Sequence, residues 1–182
     1  MASRSSSILA LVVVVLITRG SRPAGAQTLT PRAVRRAPSA SRVRSAQAEA
    51  LALIAEGIAR SPTLARLIAE IDRSDVLVSV ELSSFLRSAG DLVLVGGTSA
   101  FRYVRIRVRI PGARVDTIAA LGHELQHACE LAAAPSVRDS AGMRRLYQEL
   151  GQGDWRGEHF ETRSARDISV RVRDEVVKQA RR

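Results

Sequence analysis

The segment Phe101–Gly112, FRYVRIRVRIPG, is the part of this chain that allows the fewest conformations. Every second residue in it is branched and apolar, and these residues share one face of an extended chain: Val104, Ile106, Val108 and Ile110. The arginines between them share the opposite face: Arg105, Arg107 and Arg109. A helix would scatter both sets around its axis, so the pattern predicts a half-buried β-strand that ends at Pro111.

Two shorter segments upstream also predict strands. Val76–Leu82 is rich in β-branched residues, and Leu92–Gly97 is apolar and ends at a glycine turn. Only turn-length gaps separate the predicted strands, and short connections favour antiparallel neighbours. We therefore expect a small antiparallel sheet of about three strands.

Helical periodicity flanks the predicted sheet on both sides. Upstream, a helix from about Ser45 precedes a second one, whose start is marked by Ser61 followed by Pro62. Downstream, the sequence predicts three helices: from Asp116 or Thr117 to about Ala133, over Ala141–Leu150, and from about Glu158 to the chain end after a break at Gly151–Gly153. Helices, then strands, then helices indicate an α+β fold with helices packed against one face of the sheet.

The first 44 residues are expected to lie outside this domain, which we assign to 45–182. An early arginine, an apolar run over Ser7–Ile17 and Ala24-Gly25-Ala26 are typical of a secretory signal peptide over residues 1–26. The run is shorter than the ~20 residues that span a bilayer, so no stable membrane insertion is expected after signal removal. Residues 27–44 contain two prolines and five arginines and predict a flexible lead-in. The protein is expected to be secreted or periplasmic.

The basic charge of the chain gives little support to nucleic-acid binding. The formal net charge is +10, and three of these charges belong to arginines of the signal segment, which leaves about +7. Aromatic residues make up only 3% of the chain, so the stacking surfaces of single-strand binders are missing. We expect no nucleic-acid partner, and we expect the single cysteine, Cys129, to be buried.

Two of the three histidines lie in one short segment, GHELQHACEL. On a helix, His123 and His127 are one turn apart on the same face, so both rings can bind one metal ion. Glu124 is turned by ~100° from His123, where its carboxylate reaches toward a water on the metal. The flanking residues are apolar or small, which predicts a buried helix. Buried imidazoles need partners, which argues against two ordinary surface histidines.

Segment 119–131 resembles the active-site helix of the zincin metallopeptidases, in which HExxH is flanked by uncharged residues. The resemblance implies a Zn²⁺ ion bound by His123 and His127, with Glu124 as general base. The longer metzincin motif is excluded, because Glu130 and Ala133 stand where that motif has a glycine and a third histidine.

The third ligand implied by the resemblance is a downstream carboxylate, as in gluzincins. Glu161, followed four residues later by the small Ala165, is similar to the gluzincin pattern. Glu158 is the alternative ligand, and a helix would place it on the same face as Glu161. Glu130 is expected to support His127 or to lie on the surface.

The resemblance implies a zinc-dependent hydrolase, most simply a metalloendopeptidase with a peptide or protein substrate. Two histidines and a carboxylate leave one zinc position open for water, and Glu124 would move its proton to the leaving amine. The resemblance also implies pairing of an extended substrate with an edge strand, a role that we assign to strand 101–110. The arginines of that strand, Arg105, Arg107 and Arg109, could favour acidic substrates, but we expect them to face solvent. Candidate oxyanion stabilisers are His159, Tyr147 and Arg163.

Two other functions remain open. A noncatalytic zinc-binding envelope or scaffold protein could keep the same fold, although a scaffold has no need of Glu124. A zinc amidase acting on a nonpeptide or cell-wall amide would use the same residues as a peptidase. A di-iron centre is disfavoured, because the E-x-x-H formed by Glu124 and His127 has no second copy in the sequence.

Overall fold

A computed structural model describes residues 41–110, 112–150 and 161–181, which belong to one compact unit. The predicted signal peptide, the predicted break at 151–153, Glu158 and His159 lie outside these residues. The described residues form five helices and four strands: β1 (Val43–Arg44), α1 (Ala48–Arg60), α2 (Pro62–Ile71), β2 (Val76–Ser83), β3 (Gly90–Gly97), β4 (Arg102–Arg109), α3 (Arg114–Ala132), α4 (Ser140–Leu150) and α5 (Arg163–Ala180). The expected α+β class is confirmed.

The sheet is mixed and has the strand order β1-β2-β4-β3, so the expected antiparallel sheet of about three strands is wrong. β2 runs parallel to β1 and β4, and β3 runs antiparallel to β4. Consecutive strands joined by short loops alternate in direction, so β2 and β4 point the same way. They become parallel neighbours because β4 inserts between β2 and β3. This central place buries its apolar face, with Val104, Ile106 and Val108 at most 2% exposed.

Several boundaries differ from those expected. β1 lies within the segment expected to be a flexible lead-in, so ordered chain begins before Ser45. α3 begins at Arg114 after Ala113, ahead of the expected Asp116 or Thr117. α5 begins only at Arg163, so Glu161 precedes the helix instead of lying on it. Ile110 lies beyond β4 and is 45% exposed, because the strand's buried register ends at Val108.

α3 is the central helix and packs against α2, α5 and three strands. Ile118, Leu121 and Leu125 are fully buried on it, as its nearly uniform apolar character predicts. Gly122 lets α5 approach closely, since a Cβ built there would lie 2.9 Å from Val172 Cγ2. No helix within the described ranges is long and apolar enough to cross a membrane.

Glu175 of α5 joins this helix to the first turn of α2. Its carboxylate accepts hydrogen bonds from Ser61 Oγ at 2.5 Å, Thr63 Oγ1 at 2.7 Å and Thr63 N at 3.1 Å. Burial raises the pKa of Glu175, but the hydrogen bonds from Ser61 and Thr63 outweigh burial, and the net shift of this pKa is downward. The ionised carboxylate therefore stabilises the folded state.

We expect Glu175→Gln to lower the free energy of unfolding by about 1–2 kcal/mol at neutral pH. A lowered carboxyl pKa contributes stability that is complete above the unfolded-state pKa of ~4.3 and is lost as the pH falls through the folded-state pKa. The difference between wild type and variant should thus be constant near neutrality and shrink in acid. Urea unfolding across pH measures this difference. An equal loss in Glu70→Gln, an exposed carboxyl on α2, would contradict it.

Candidate metal centre

One cavity of about 580 Å³ lies between α3, α5 and the start of β3. It brings together the proposed general base, Glu124, and the three first-choice metal ligands, His123, His127 and Glu161. The first three come from one stretch of α3, and Glu161 comes from the segment before α5. The packing of α5 on α3 therefore brings Glu161 to the three residues of α3.

The two imidazoles turn the same nitrogen toward each other. His123 Nε2 and His127 Nε2 are 3.2 Å apart. His127 Nδ1 lies 2.8 Å from Glu130 Oε2, and an ionised carboxylate only accepts hydrogen bonds. We therefore assign the His127 proton to Nδ1, which leaves a lone pair on Nε2 facing the cavity.

His123 is held in its neutral form. Burial lowers the pKa of His123, and the nearby His127 lowers it further. Its ring forms a hydrogen bond with the backbone of Ala165, which we assign to Nδ1 because Nε2 faces His127 and Glu161. Ala165 is fully buried, and its small methyl side chain allows this approach. Both histidines thus present an Nε2 lone pair to one region of the cavity.

The spacing of these atoms fits a zinc ion. Two ligands bound tetrahedrally at ~2.0–2.1 Å from zinc lie ~3.3 Å from each other, and the two Nε2 atoms are 3.2 Å apart. Glu161 Oε1 is likewise 3.2 Å from His123 Nε2. Within the described ranges no group of three or more His, Cys, Asp or Glu side chains is already arranged to hold a metal ion. The Glu161 side chain is 46% exposed, so its carboxylate is free to rotate.

Glu124 lies between the histidines and β3 and is only 5% exposed. Burial raises the pKa of Glu124 to about 8, and the nearby Asp91 and Glu161 contribute to the rise. Gly90 of β3 packs directly against it, since a Cβ built on Gly90 would lie 2.7 Å from Glu124 Oε1. A carboxyl group with a pKa near neutrality is suited to exchange protons during a reaction.

Glu130 and Thr162 form a hydrogen-bond network next to His127. The sequence alone did not decide the role of Glu130 and did not point to Thr162. Glu130 Oε2 accepts from His127, and Glu130 Oε1 accepts from Thr162 Oγ1 at 2.7 Å. Thr162 Oγ1 in turn accepts from Ala165 N at 3.1 Å and caps α5. Burial raises the pKa of Glu130, but the hydrogen bonds from His127 and Thr162 lower it by more. This network connects the His127 ring to the chain directly after Glu161.

Two of the candidate oxyanion stabilisers, Tyr147 and Arg163, lie among the described residues. Tyr147 lines the cavity, but its hydroxyl donates to the carbonyl oxygen of His127 at 3.0 Å and is buried. Tyr147 therefore positions α3. Arg163 is 87% exposed beside Asp167 and does not line the cavity.

The strand expected to bind substrate is also corrected. β4 lies between β2 and β3, so its backbone is paired on both sides. In the described part of the chain the edge strand beside the cavity is β3, which contributes Gly90 and Asp91 to the lining. The spacing of the strands along the chain did not reveal that β3 is the edge strand. In the sheet, β4 lies between β2 and β3, although it follows both in the sequence.

We expect Glu130→Gln to weaken zinc binding by about 10–100-fold, because an amide holds the His127 tautomer less firmly than a carboxylate. Competition with a fluorescent zinc chelator measures this affinity. Glu149→Gln, an exposed carboxyl on α4, is the matched control. Equal affinities for zinc in the two variants would show that Glu130 does not position His127.

No protein-family model, curated protein or solved structure matches this chain.

Proposed function

We propose that this protein is a zinc-dependent hydrolase, most simply a metalloendopeptidase, that acts after export from the cytoplasm. The observation that carries the proposal is the pair of Nε2 atoms 3.2 Å apart in a cavity that also holds Glu124 and Glu161. Structural zinc sites fill all four positions with protein ligands, whereas catalytic sites use three. His123, His127 and Glu161 would leave one position open.

The surroundings of the histidines support a site that binds metal through neutral imidazoles. The Glu130 carboxylate fixes the tautomer of His127, as carboxylates do in many zinc sites. Burial keeps His123 neutral, so it does not have to lose a proton on binding.

The proposed reaction uses the chain's own groups for proton transfer. When bound, zinc would act as a Lewis acid and make water a stronger nucleophile at neutral pH. Glu124 takes a proton from the attacking water and passes it to the leaving amine, so that it begins and ends in the same state. Gly90 leaves room for the Glu124 side chain. Among the described residues β3 is an edge strand, and its outer edge can pair with an extended peptide.

Removal of metal tests the proposal. We expect the zinc-loaded protein to cleave an unstructured substrate such as casein, and o-phenanthroline to abolish cleavage. The non-chelating isomer m-phenanthroline should have no effect, and added Zn²⁺ should restore activity. Cleavage that survives exhaustive chelation, or no cleavage by the zinc-loaded protein, would contradict the proposal.

A further inference from the structure

The end of the cavity near the first turn of α3 carries two arginines. Arg109 is the last residue of β4, Arg173 lies on α5, and both line the cavity together with Asp116. Arg173 Nη2 is 2.6 Å from Asp116 Oδ1, so these two charges compensate each other. Arg109 is exposed and forms no ion pair with any residue that the structure describes.

The other carboxylates of the cavity are also engaged. Asp91 is paired with Arg107, whose Nε lies 2.9 Å from Asp91 Oδ1. Glu161 contacts His123, and Glu124 is buried. Among the described residues lining the cavity, Arg109 is thus the cation without a counter-ion. A free guanidinium beside a cavity is suited to a carboxylate, which it binds through two parallel hydrogen bonds.

The backbone fixes where Arg109 lies relative to the proposed reaction. Arg109 N donates to Ala89 O at 2.9 Å, and Ala89 is the neighbour of Gly90, which packs on Glu124. Strand residues are ~3.4 Å apart along the chain. Along the direction of β3, Arg109 is therefore offset by about one or two residues of extended peptide from the bond that Glu124 would act on, and it lines the same cavity as Glu124.

Charge and strand direction together decide which side of the substrate meets Arg109. A peptide that pairs antiparallel with β3 has its carboxyl end toward the start of β3, where Arg109 lies. A peptide in the opposite direction would bring its amino end there, and the ammonium group would be repelled by Arg109. The antiparallel direction is the one with complementary charges.

We propose that Arg109 binds a substrate carboxylate about one or two residues beyond the cleaved bond, on the leaving-group side. This inference rests on the proposed hydrolase function and specifies its substrate class: peptides with a chain end or an acidic residue at that place. The carboxylate has two possible sources, the C-terminus and an Asp or Glu side chain. Both present the same group to the guanidinium.

Binding and cleavage of matched peptides test the inference. Dye-labelled peptides of one sequence end two residues after the target bond in a free carboxylate, in a carboxamide, or in an aspartate carboxamide. Their affinities are measured by fluorescence polarisation with the zinc-loaded Glu124→Gln protein, which does not turn them over. The comparison is repeated after adding Arg109→Gln, and after adding Arg87→Gln, a nearby exposed arginine outside the cavity lining.

We expect at least one carboxylate peptide to bind about 10-fold more tightly than the carboxamide, and Arg109→Gln, but not Arg87→Gln, to remove this preference. Tight binding of the free acid alone assigns the carboxylate to the chain end, and tight binding of the aspartate carboxamide assigns it to a side chain. Equal binding of all three peptides overturns the inference. A carboxylate preference without cleavage by wild type would support the Arg109 site and overturn the hydrolase function.

Discussion

Glu124→Gln is expected to lower hydrolysis by a factor of about 10²–10⁴ or more without removing zinc. An amide has nearly the shape of the carboxyl group but cannot accept the proton of the attacking water. The metal-free variant should also be more stable than metal-free wild type at pH 8. Burial raises the pKa of Glu124 to about 8, so wild type must keep a proton on this group or bury a charge.

The sign of this effect follows from proton linkage. Between the unfolded-state pKa of ~4.3 and about 8, the folded state holds one proton more than the unfolded state. The free energy of unfolding of metal-free wild type therefore decreases as the pH rises through this window. The variant has no carboxyl group at this position and should not show this decrease. We expect a difference of ~2–4 kcal/mol at pH 8.

Cleavage assays, zinc analysis and urea unfolding of metal-free protein at pH 5 and pH 8 measure the three expected effects. Glu149→Gln serves as the matched control, because it makes the same chemical change on an exposed part of α4. A Glu124→Gln protein that keeps its zinc and its full activity would exclude Glu124 as the general base.

Arg102→Met is expected to lower the free energy of unfolding by about 3–5 kcal/mol. The Arg102 side chain is fully buried. Its Nε and Nη2 donate to both Asp75 carboxylate oxygens, at 3.0 and 2.5 Å. Its Nη1 donates to the carbonyls of Leu131 and Ala134, at 2.7 and 2.9 Å. The guanidinium thus binds one carbonyl in the last turn of α3 and one in the chain directly after this helix.

Removal of this guanidinium leaves Asp75 without its main partner and removes one hydrogen-bond donor each from the carbonyls of Leu131 and Ala134. Guanidinium chloride unfolding measures the loss. Arg107→Met on the same strand is the control, because the Arg107 side chain is 36% exposed and such ion pairs contribute at most about 1 kcal/mol. Equal destabilisation by the two substitutions would contradict the role assigned to Arg102.

Local patterns in the sequence predicted the individual elements well. Ser61 caps α2 through Leu64 N, and Pro62 is its first residue, as expected. The predicted alternation of buried and more exposed side chains along β4 is confirmed, but the buried face also includes Arg102, the first residue of the strand. Because arginine is usually exposed, the residue type hid a buried ion pair that the register alone would have indicated.

The arrangement of the elements was less predictable, because it depends on long-range packing. Nothing in the short loops distinguishes a β4 that inserts between β2 and β3 from one added at the edge. The spacing of His123 and His127 followed from one helix, so local geometry was sufficient. The position of Glu161, and the hydrogen bond that Thr162 donates to Glu130, depend on how α5 docks on α3.

Zinc content is the most direct test of the central claim, that α3 and the segment before α5 bind zinc. The protein is loaded with zinc, dialysed exhaustively and analysed for metal per chain, in wild type and in His127→Ala. We expect about one zinc ion per wild-type chain, as for catalytic sites with three protein ligands, and almost none in the variant. Wild-type protein without zinc, or equal zinc in both proteins, would contradict the account.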